Sequence, residues 1–240
     1  MKVLNTMSSI IEKATYHVKR YLYENYGIPQ VWGDGISKVS IKKYLPKNPI
    51  IIDCGANDGS DSVQLADAYS GQVHSFEPIE NIFAALKLKT GKHSNIHCYQ
   101  IALGDKNGEQ NFFVSEGGST GSSSLMEPKE HLNDHPETYF KKQIIVNTLT
   151  LNSWAERYSI KKVDMLWLDM QGFELNMIKA AGSILQTVKV IHTEVSIKET
   201  YKGVALYPDY KRYLEKIGFK VVVEAIPAGW DMGNVLFVRK

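Results

Sequence analysis

The sequence has few cysteines, and no segment of it resembles a membrane span or a secretion signal. Its two cysteines, Cys54 and Cys98, both lie within apolar runs. Such thiols usually serve as small buried apolar side chains, which is typical of a protein from a reducing compartment. The chain lacks a run of about 18 apolar residues, and its N-terminus lacks an apolar core followed by a cleavage site. These absences predict a cytoplasmic protein without an integral membrane segment.

The chain also lacks a large excess of either charge. Its formal net charge is +2, but residues 1–50 carry eight Lys or Arg against three Asp or Glu. Residues 51–240 carry twenty against twenty-three, so the basic stripe typical of nucleic-acid-binding proteins is missing. We therefore expect no nucleic-acid partner, and we interpret the basic front segment as the solvated face of a helix.

The first part of the chain has apolar residues at helical spacing. Gly27 and Pro29 then provide signals that end a helix. We expect residues 1–45 to form a helical extension that packs on the main domain, residues 46–240, or on a second subunit as a homo-oligomer. The apolar residues that carry the pattern are Ile10, Ile11, Ala14, Val18, Tyr21 and Leu22.

From residue 49 onward, strand and helix signals alternate, which favours an α/β fold with a doubly wound, mostly parallel sheet. Between residues 104 and 151 this alternation of strand and helix signals is interrupted. Asn107-Gly108 indicates a hairpin-like excursion, and the Gly- and Ser-rich residues 115–125 indicate a loop. The last two strands flank a Pro/Gly turn and predict an antiparallel pair. The predicted strands are 50–54, 73–78, 96–103, 163–169, 188–196, 219–227 and 234–240, with a further strand-like segment at 143–151, and the longest predicted helices are 80–91, 173–185 and 207–218.

Acidic residues follow most of the predicted strands. In an open α/β sheet, ligands bind outside the carboxyl ends of the strands, so these positions are the first candidates for a site. They include the segment from Asp53 to Gly59, Glu77-Pro78, the segment from Ala102 to Asp105, the segment from Asp169 to Gly172, and Glu194.

The stretch after the first strand, "DCGANDG", lacks one glycine of the dinucleotide-binding pattern. Gly55 and Gly59 give G-x-x-x-G, without the middle glycine at which a backbone approaches a pyrophosphate. The turn therefore favours a smaller nucleoside ligand over a dinucleotide. Glu77 ends the next strand and is placed to accept hydrogen bonds from both hydroxyls of a ribose.

The segments "IDCGANDGSDS", "FEPIENIFAALK", "IALGD", "LWLDMQGFELNMIKAAG" and "IHTEVS" together resemble the FkbM family of S-adenosylmethionine-dependent methyltransferases. The resemblance runs from about residue 50 to residue 238. It implies a Rossmann-like sheet of seven strands whose last hairpin is antiparallel, and transfer of a methyl group to an oxygen. It also implies S-adenosylmethionine as the cofactor.

The resemblance further implies positions for that cofactor. Its methionine part would lie on Gly55, Ala56, Asn57 and Gly59, its ribose on Glu77, and its adenine beside Ala102 and Leu103. Asp169 would lie beside the methyl group, and Asp53 and Pro78 complete the predicted cofactor site. This chain departs from the family at Gln171, where an acid is common, so a charged role for that position is not carried over.

Three residues near the sheet edge are candidates for removing a proton from an acceptor hydroxyl: Asp169, Glu194 and His192. His192 and Glu194 are two residues apart in a strand and share a face, although a histidine in such a strand is more often a core residue. Glu174 is expected to cap or pair locally. A carboxylate pair could instead hold a divalent metal, but no residue spacing requires a metal.

Two segments are candidates for binding the acceptor. The "GGSTGSSSL" loop, with Ser122 and Ser123, is interpreted either as a flexible connector or as a lid over cofactor and acceptor. Trp230, beside Asp231 and Asn234, suits the face of a sugar or polyketide, while a plain surface turn is the alternative.

The leading functional hypothesis is a methyltransferase acting on a hydroxyl of a small molecule or glycan. A nucleic-acid methyltransferase is less favoured because the chain has no Pro-Pro segment to hold a base amine, and neither cysteine suits attack on cytosine. A catalytically inactive, cofactor-binding assembly protein is the rival from another class. An NAD-dependent oxidoreductase is disfavoured by the missing middle glycine.

Overall fold

Twelve strands make up the sheets of the described chain. The computed structural model describes residues 15–130 and 136–240. The strands are β1 (Val31–Trp32), β2 (Gly35–Ile36), β3 (Ile50–Cys54), β4 (Gln72–Phe76), β5 (Ile96–Tyr99), β6 (Ala102–Leu103), β7 (Gly108–Gly117), β8 (Thr138–Leu149), β9 (Met165–Leu168), β10 (Val190–Ser196), β11 (Phe219–Ala225) and β12 (Met232–Arg239).

Seven helices accompany these strands over the described residues. They are α1 (residues 15–26), α2 (Lys38–Ile41), α3 (Ser60–Tyr69), α4 (Glu80–Thr90), α5 (Leu151–Arg157), α6 (Glu174–Lys179) and α7 (Tyr207–Lys216). Two 3-10 turns, Lys42–Tyr44 and Gly182–Thr187, follow α2 and α6.

Seven of the strands form the main sheet, in the order β11-β12-β10-β9-β3-β4-β5. Strands β3, β4, β5, β9 and β10 are parallel, and β12 runs antiparallel to both of its neighbours. The central strands read as short apolar runs because both faces of a parallel sheet are covered. This arrangement confirms the predicted Rossmann-like fold with seven strands and an antiparallel C-terminal hairpin.

The two faces of the main sheet are covered by different parts of the chain. One face packs against the later helices, with Trp154 of α5 and Leu214 of α7 in its core. The other face packs against Leu65 of α3 and against Ile36 and Ile41 of the N-terminal segment. Residues 31–44 therefore seal one side of the sheet, and β2 lies against β11 and β12.

A second sheet, in the order β6-β8-β7, stands beside the main one. The single strand predicted over residues 96–103 is wrong, because its first half pairs with β4 and its second half with β8. The predicted excursion is a long antiparallel pair of β7 and β8, which closes far beyond Asn107-Gly108. The sequence of residues 96–103 has no periodicity that marks the change of sheet.

Two helix predictions also differ from the structure. The helix predicted over residues 173–185 ends at Lys179 and continues as a 3-10 turn. Gly182 explains the break, since its φ is +68° and a Cβ there would lie 2.8 Å from Asn152. In the N-terminal extension, residues 15–26 are helical as predicted, but residues 31–36 form the small β1–β2 hairpin. The part of that prediction on residues 1–14 lies outside the described residues.

Candidate active site

The turn between β3 and α3 presses its backbone against the end of β9. Gly55 has a φ of +83°, and a Cβ at this position would lie 1.8 Å from the carbonyl oxygen of Asp169. Gly59 has a φ of +85°, and its Cβ would lie 2.7 Å from Leu86 Cδ1. Asn57, between them, also has a positive φ of 46°. A side chain does not fit at either end of this turn, and this explains why positions 55 and 59 are both glycine.

Glu77 stands directly after β4 and is 6% exposed. One carboxylate oxygen, Oε1, accepts the backbone N–H of Ile79 at 2.8 Å. Burial raises the pKa of Glu77 to about 7, and the backbone N–H groups of Ile79 and Asn57 oppose that shift. The hydrogen bond to Ile79 therefore fixes the position of a carboxyl group at the end of β4.

A cavity opens between this turn, Glu77 and the second sheet. Its empty volume is about 560 Å³ with the open space at its mouth included. The apolar wall comes mainly from Ile79, Leu103, Phe112 and Phe173. The cavity brings together seven of the predicted cofactor residues: Gly55, Asn57, Glu77, Pro78, Ala102, Leu103 and Asp169.

The other predicted cofactor residues, Asp53, Ala56 and Gly59, lie behind the lining of this cavity. Asp53 is 1% exposed, and its Oδ2 accepts the hydroxyl of Ser62 at 2.5 Å. Burial raises the pKa of Asp53 to about 7, against the effect of the Ser62 hydrogen bond. Asp53 thus joins β3 to α3, while Ala56 and Gly59 form the backbone of the turn.

Asp169 and Glu194 are joined by one side-chain amide. Gln171 Nε2 donates to Asp169 Oδ1 at 2.7 Å and to Glu194 Oε2 at 3.2 Å. Asp169 follows β9 and is exposed at the cavity, whereas Glu194 lies within β10. The carboxyl ends of two neighbouring strands therefore place both predicted carboxylates side by side.

The protein around these carboxylates favours their protonated forms. Although Asp169 opens to the cavity, desolvation by the protein around its carboxyl group, followed by the negative charges of Asp61 and Asp34, raises the pKa of Asp169, while Gln171 opposes the shift. Burial, Asp169 and Glu174 raise the pKa of Glu194 well above its ordinary value. A raised pKa makes each group a stronger proton acceptor than an ordinary carboxylate.

Glu174 has a local role, as expected from its place at the start of a helix. Its Oε1 accepts the backbone N–H groups of Met170 at 2.8 Å and Gly172 at 3.2 Å. Burial raises the pKa of Glu174 to about 7. Glu174 thereby holds the turn that carries Asp169 and Gln171.

His192 is buried beside Glu194 but does not line the cavity. Its ring stacks on Trp167 with the centroids 3.6 Å apart, and Lys38 Nζ lies 4.6 Å from the centroid of the Trp167 ring. Burial, with a contribution from Lys38, lowers the pKa of His192 to about 3. Its Nδ1 has no hydrogen-bond partner within the described part of the chain. His192 is therefore neutral at pH 7 and is a weak base.

The Gly- and Ser-rich segment begins as the end of β7, and its remainder crosses the cavity. We call residues 118–125 the cover loop. Ser123 lines the cavity, and its hydroxyl accepts the N–H of Ser115 at 2.9 Å. Ser122 is 7% exposed, and its carbonyl accepts the hydroxyl of Tyr201 at 2.7 Å. The third predicted acceptor residue, Trp230, lies in the turn between β11 and β12, is 54% exposed and is not brought to the cavity.

Two residues of the site were not predicted as functional. In the sequence, Gln171 is distinguished only by its departure from the family pattern, and Tyr201 belongs to no motif. The Tyr201 hydroxyl is within 3.1 Å of Gln171 Oε1, and the side chain is fully buried. A φ of +53° at Gln171 is the backbone feature that sets this turn apart, and it is not visible in the sequence.

Over residues 15–130 and 136–240, no group of three or more His, Cys, Asp and Glu side chains is arranged to hold a metal ion. None of the described helices combines the length and apolarity needed to span a bilayer.

A sequence model of the methyltransferase FkbM domain matches residues 53–221. A relative with a described activity is the 2-O-methyltransferase NoeI of Sinorhizobium fredii. It is 30% identical over 162 residues, which cover 65% of this chain and 67% of the relative.

Solved structures share the fold at low sequence identity. Magnesium protoporphyrin IX methyltransferase (ChlM) from Synechocystis PCC 6803, with bound SAM, is 15% identical with a TM-score of 0.50, covering 93% of this chain and 96% of that one. The fibrillarin pre-rRNA processing protein of Methanococcus jannaschii is 18% identical with a TM-score of 0.50, covering 85% and 73%. These likenesses concern the fold, and the family follows from the domain match and from the relative. The chain is an S-adenosylmethionine-dependent methyltransferase that belongs to the FkbM family.

Proposed function

We propose that this protein transfers a methyl group to a hydroxyl of a small molecule or glycan. The observation that carries the proposal is the pair of carboxylates, Asp169 and Glu194, joined by Gln171 at the edge of the cavity. The activity of the relative NoeI, a 2-O-methyltransferase, agrees with an oxygen acceptor.

The residues of the cavity fit S-adenosylmethionine. The close approach of Gly55 to the Asp169 carbonyl fixes the turn against the end of β9, and Gly55 and Asn57 of this turn line the cavity. We assign the methionine part to Gly55 and Asn57, the ribose to Glu77, and the adenine to the apolar wall with Ala102 and Leu103. When bound, the cofactor supplies an electrophilic methyl group.

The protein's own contribution is to orient the acceptor and to accept its proton. Aligning an oxygen with the methyl group converts a bimolecular step into an effectively unimolecular one. We assign Asp169 or Glu194 as the base, because burial makes both groups stronger proton acceptors than ordinary carboxylates. His192 is the weaker candidate because its pKa is lowered to about 3.

The proposal is tested first by binding and then by transfer. Calorimetry should detect S-adenosylmethionine and its demethylated product but not NAD; binding of neither methionine nucleoside would contradict the assignment of the cavity. Transfer of a labelled methyl group should then be measured with panels of sugars, oligosaccharides, polyketides and RNA. Labelling of RNA alone would favour a nucleic-acid methyltransferase, and binding without any transfer would favour an inactive assembly protein.

The role of Asp169 has its own test. We expect Asp169→Asn to reduce turnover, measured at saturating cofactor, at least tenfold, because an amide is not a proton acceptor of comparable strength. The matched control is Asp105→Asn, which makes the same change at an exposed position outside the cavity lining. Turnover equal to that of the unmodified protein would remove Asp169 from the catalytic candidates.

A further inference from the structure

Both the nitrogen and the oxygen of the Gln171 side-chain amide form hydrogen bonds. Its nitrogen donates to Asp169 Oδ1 at 2.7 Å and to Glu194 Oε2 at 3.2 Å, and its oxygen lies 3.1 Å from the hydroxyl of Tyr201. An amide nitrogen has two N–H groups, so each carboxylate receives one of them. Gln171 is 8% exposed, and its contacts are therefore largely shielded from water.

The direction of the amide is set by its surroundings. The opposite orientation would place the amide oxygen against two carboxylates, which have no proton to donate when they are ionised. Tyr201 is fully buried, and its single hydroxyl proton is shared between the carbonyl oxygen of Ser122 at 2.7 Å and the amide oxygen of Gln171 at 3.1 Å. The two carboxylate acceptors set the direction of the amide, and the shared Tyr201 proton favours the same orientation.

The backbone that carries Gln171 is held as firmly as its side chain. Ser124 of the cover loop donates its hydroxyl to the Gln171 carbonyl at 2.8 Å. On either side, the N–H groups of Met170 and Gly172 donate to Glu174. The amide therefore joins β9, β10, the cover loop and the segment of Tyr201.

A neutral donor suits this place because negative charge already surrounds it. An acid at position 171 would bring another carboxylate to Asp169 and Glu194, and like charges at this distance repel. A hydrogen bond from an amide stabilises ionised Asp169 without adding charge. The charged and titratable groups that act on Asp169 or Glu194 are Asp34 of the β1–β2 turn, Asp53 of β3, Asp61 of α3, Glu174 of α6, and Tyr201.

We propose that Gln171, oriented by Tyr201, is a positioning residue that holds the carboxylates of Asp169 and Glu194 in place for the cofactor and the acceptor hydroxyl. The proposal rests on the proposed function for the part that Asp169 plays. Gln171 acts through the carboxylates and need not touch the acceptor itself. Removing its N–H donors should make Asp169 easier to protonate. As the pH is lowered, ligand binding should then be lost at a higher pH than in the unmodified protein.

The test is the pH dependence of S-adenosylhomocysteine binding, measured by calorimetry from pH 5 to pH 9. We expect Gln171→Met, which keeps the length of the side chain but not its donors, to raise the pH of half-maximal affinity by about one unit. Tyr201→Phe should raise it by a smaller amount, since the amide remains but is less firmly oriented. Gln171→Glu should raise it most.

The control is Gln143→Met, which makes the same change at an exposed position of β8. It should leave the pH profile unchanged. A profile for Gln171→Met that coincides with the unmodified protein would overturn the positioning role, and if that variant does not fold, the same result for Tyr201→Phe would overturn it. Failure of the unmodified protein to bind S-adenosylhomocysteine would instead contradict the assignment of the cavity. Absence of methyl transfer alone would contradict the proposed function but would not affect the pH profile of S-adenosylhomocysteine binding.

Discussion

At the scale of single residues, Glu77 is the sharpest test of how the cavity recognises its ligand. We expect Glu77→Ala to weaken cofactor binding roughly thirtyfold, because hydrogen bonds to a charged group contribute about 2 kcal/mol. The matched control is Glu80→Ala, an exposed glutamate three positions along the chain. Calorimetry measures both variants, and equal affinities would refute the ribose contact assigned to Glu77.

Gly55 allows steric exclusion to be separated from backbone strain. A Cβ at Gly55 would lie 1.8 Å from the Asp169 carbonyl, whereas Gly229 has an almost equal φ of +82° and no atom within 4 Å of its Cβ position. We expect Gly229→Ala to cost about 1 kcal/mol of unfolding free energy. Gly55→Ala should cost more than about 3 kcal/mol. Urea denaturation compares the two, and similar losses would mean that strain alone requires the glycine.

Several site residues could be predicted because each one follows a strand. Gly55, Glu77 and Asp169 carry local motifs at positions where parallel strands end, and topology brings such positions together. The contact between Gln171 and Tyr201 could not be predicted in this way. The two residues are thirty positions apart in separate elements, and their meeting depends on a turn with positive φ.

At the scale of elements, the N-terminal segment is part of the core and not an appendage. Ile41 of α2 is fully buried in the cluster that covers one face of the main sheet, while Val39 of the same helix is 37% exposed. We expect Ile41→Ala to lower the free energy of unfolding by about 2–5 kcal/mol. Val39→Ala should lower it by less than about 1 kcal/mol. Equal effects in thermal or urea unfolding would show that this segment does not support the sheet.

The boundaries of the elements were less predictable than their order. Residues 96–103 are mostly apolar, with no regular alternation of polar and apolar positions, and such a run packs equally well in either of two sheets. The assignment to β5 and β6 depends on pairing with distant strands, β4 and β8. The predicted boundary of the domains at residues 45 and 46, and a homo-oligomer formed through the N-terminal helix, stay predictions.

At the scale of the whole molecule, buried acids should make stability depend on pH. The pKa values of Asp53, Glu77 and Glu174 are raised to about 7, and in the unfolded chain they lie near 4. Between these values the folded protein binds more protons than the unfolded chain, so its stability falls as pH rises. The slope is about 1.4 kcal/mol per pH unit for each proton of difference.

Two buried histidines determine the pH range in which the fall of stability with rising pH is best measured. The pKa of His74 is lowered to about 4 and that of His192 to about 3, so both oppose the acids below about pH 6.5. We expect the urea midpoint of the unliganded protein to fall between pH 6.5 and pH 8. Glu174→Gln should make this dependence shallower. A midpoint that rises over the same interval would contradict the raised pKa values.

The topology of the whole sheet followed from the alternation of elements and from the resemblance to a family. In the structure β12 lies between β10 and β11, so it pairs with its hairpin partner β11 and also with β10, which is distant along the chain. Seven residues of β10 and most of β11 have β12 as a pairing partner.

This position of β12 makes the order of synthesis important. When a ribosome has made β10 and β11 but not yet residues 232–239, each of the two strands has an unpaired edge where β12 belongs. Unpaired edges are sites of aggregation. Products of premature termination between residues 225 and 232 should therefore aggregate or be degraded, although they contain every residue assigned to the cofactor and to catalysis.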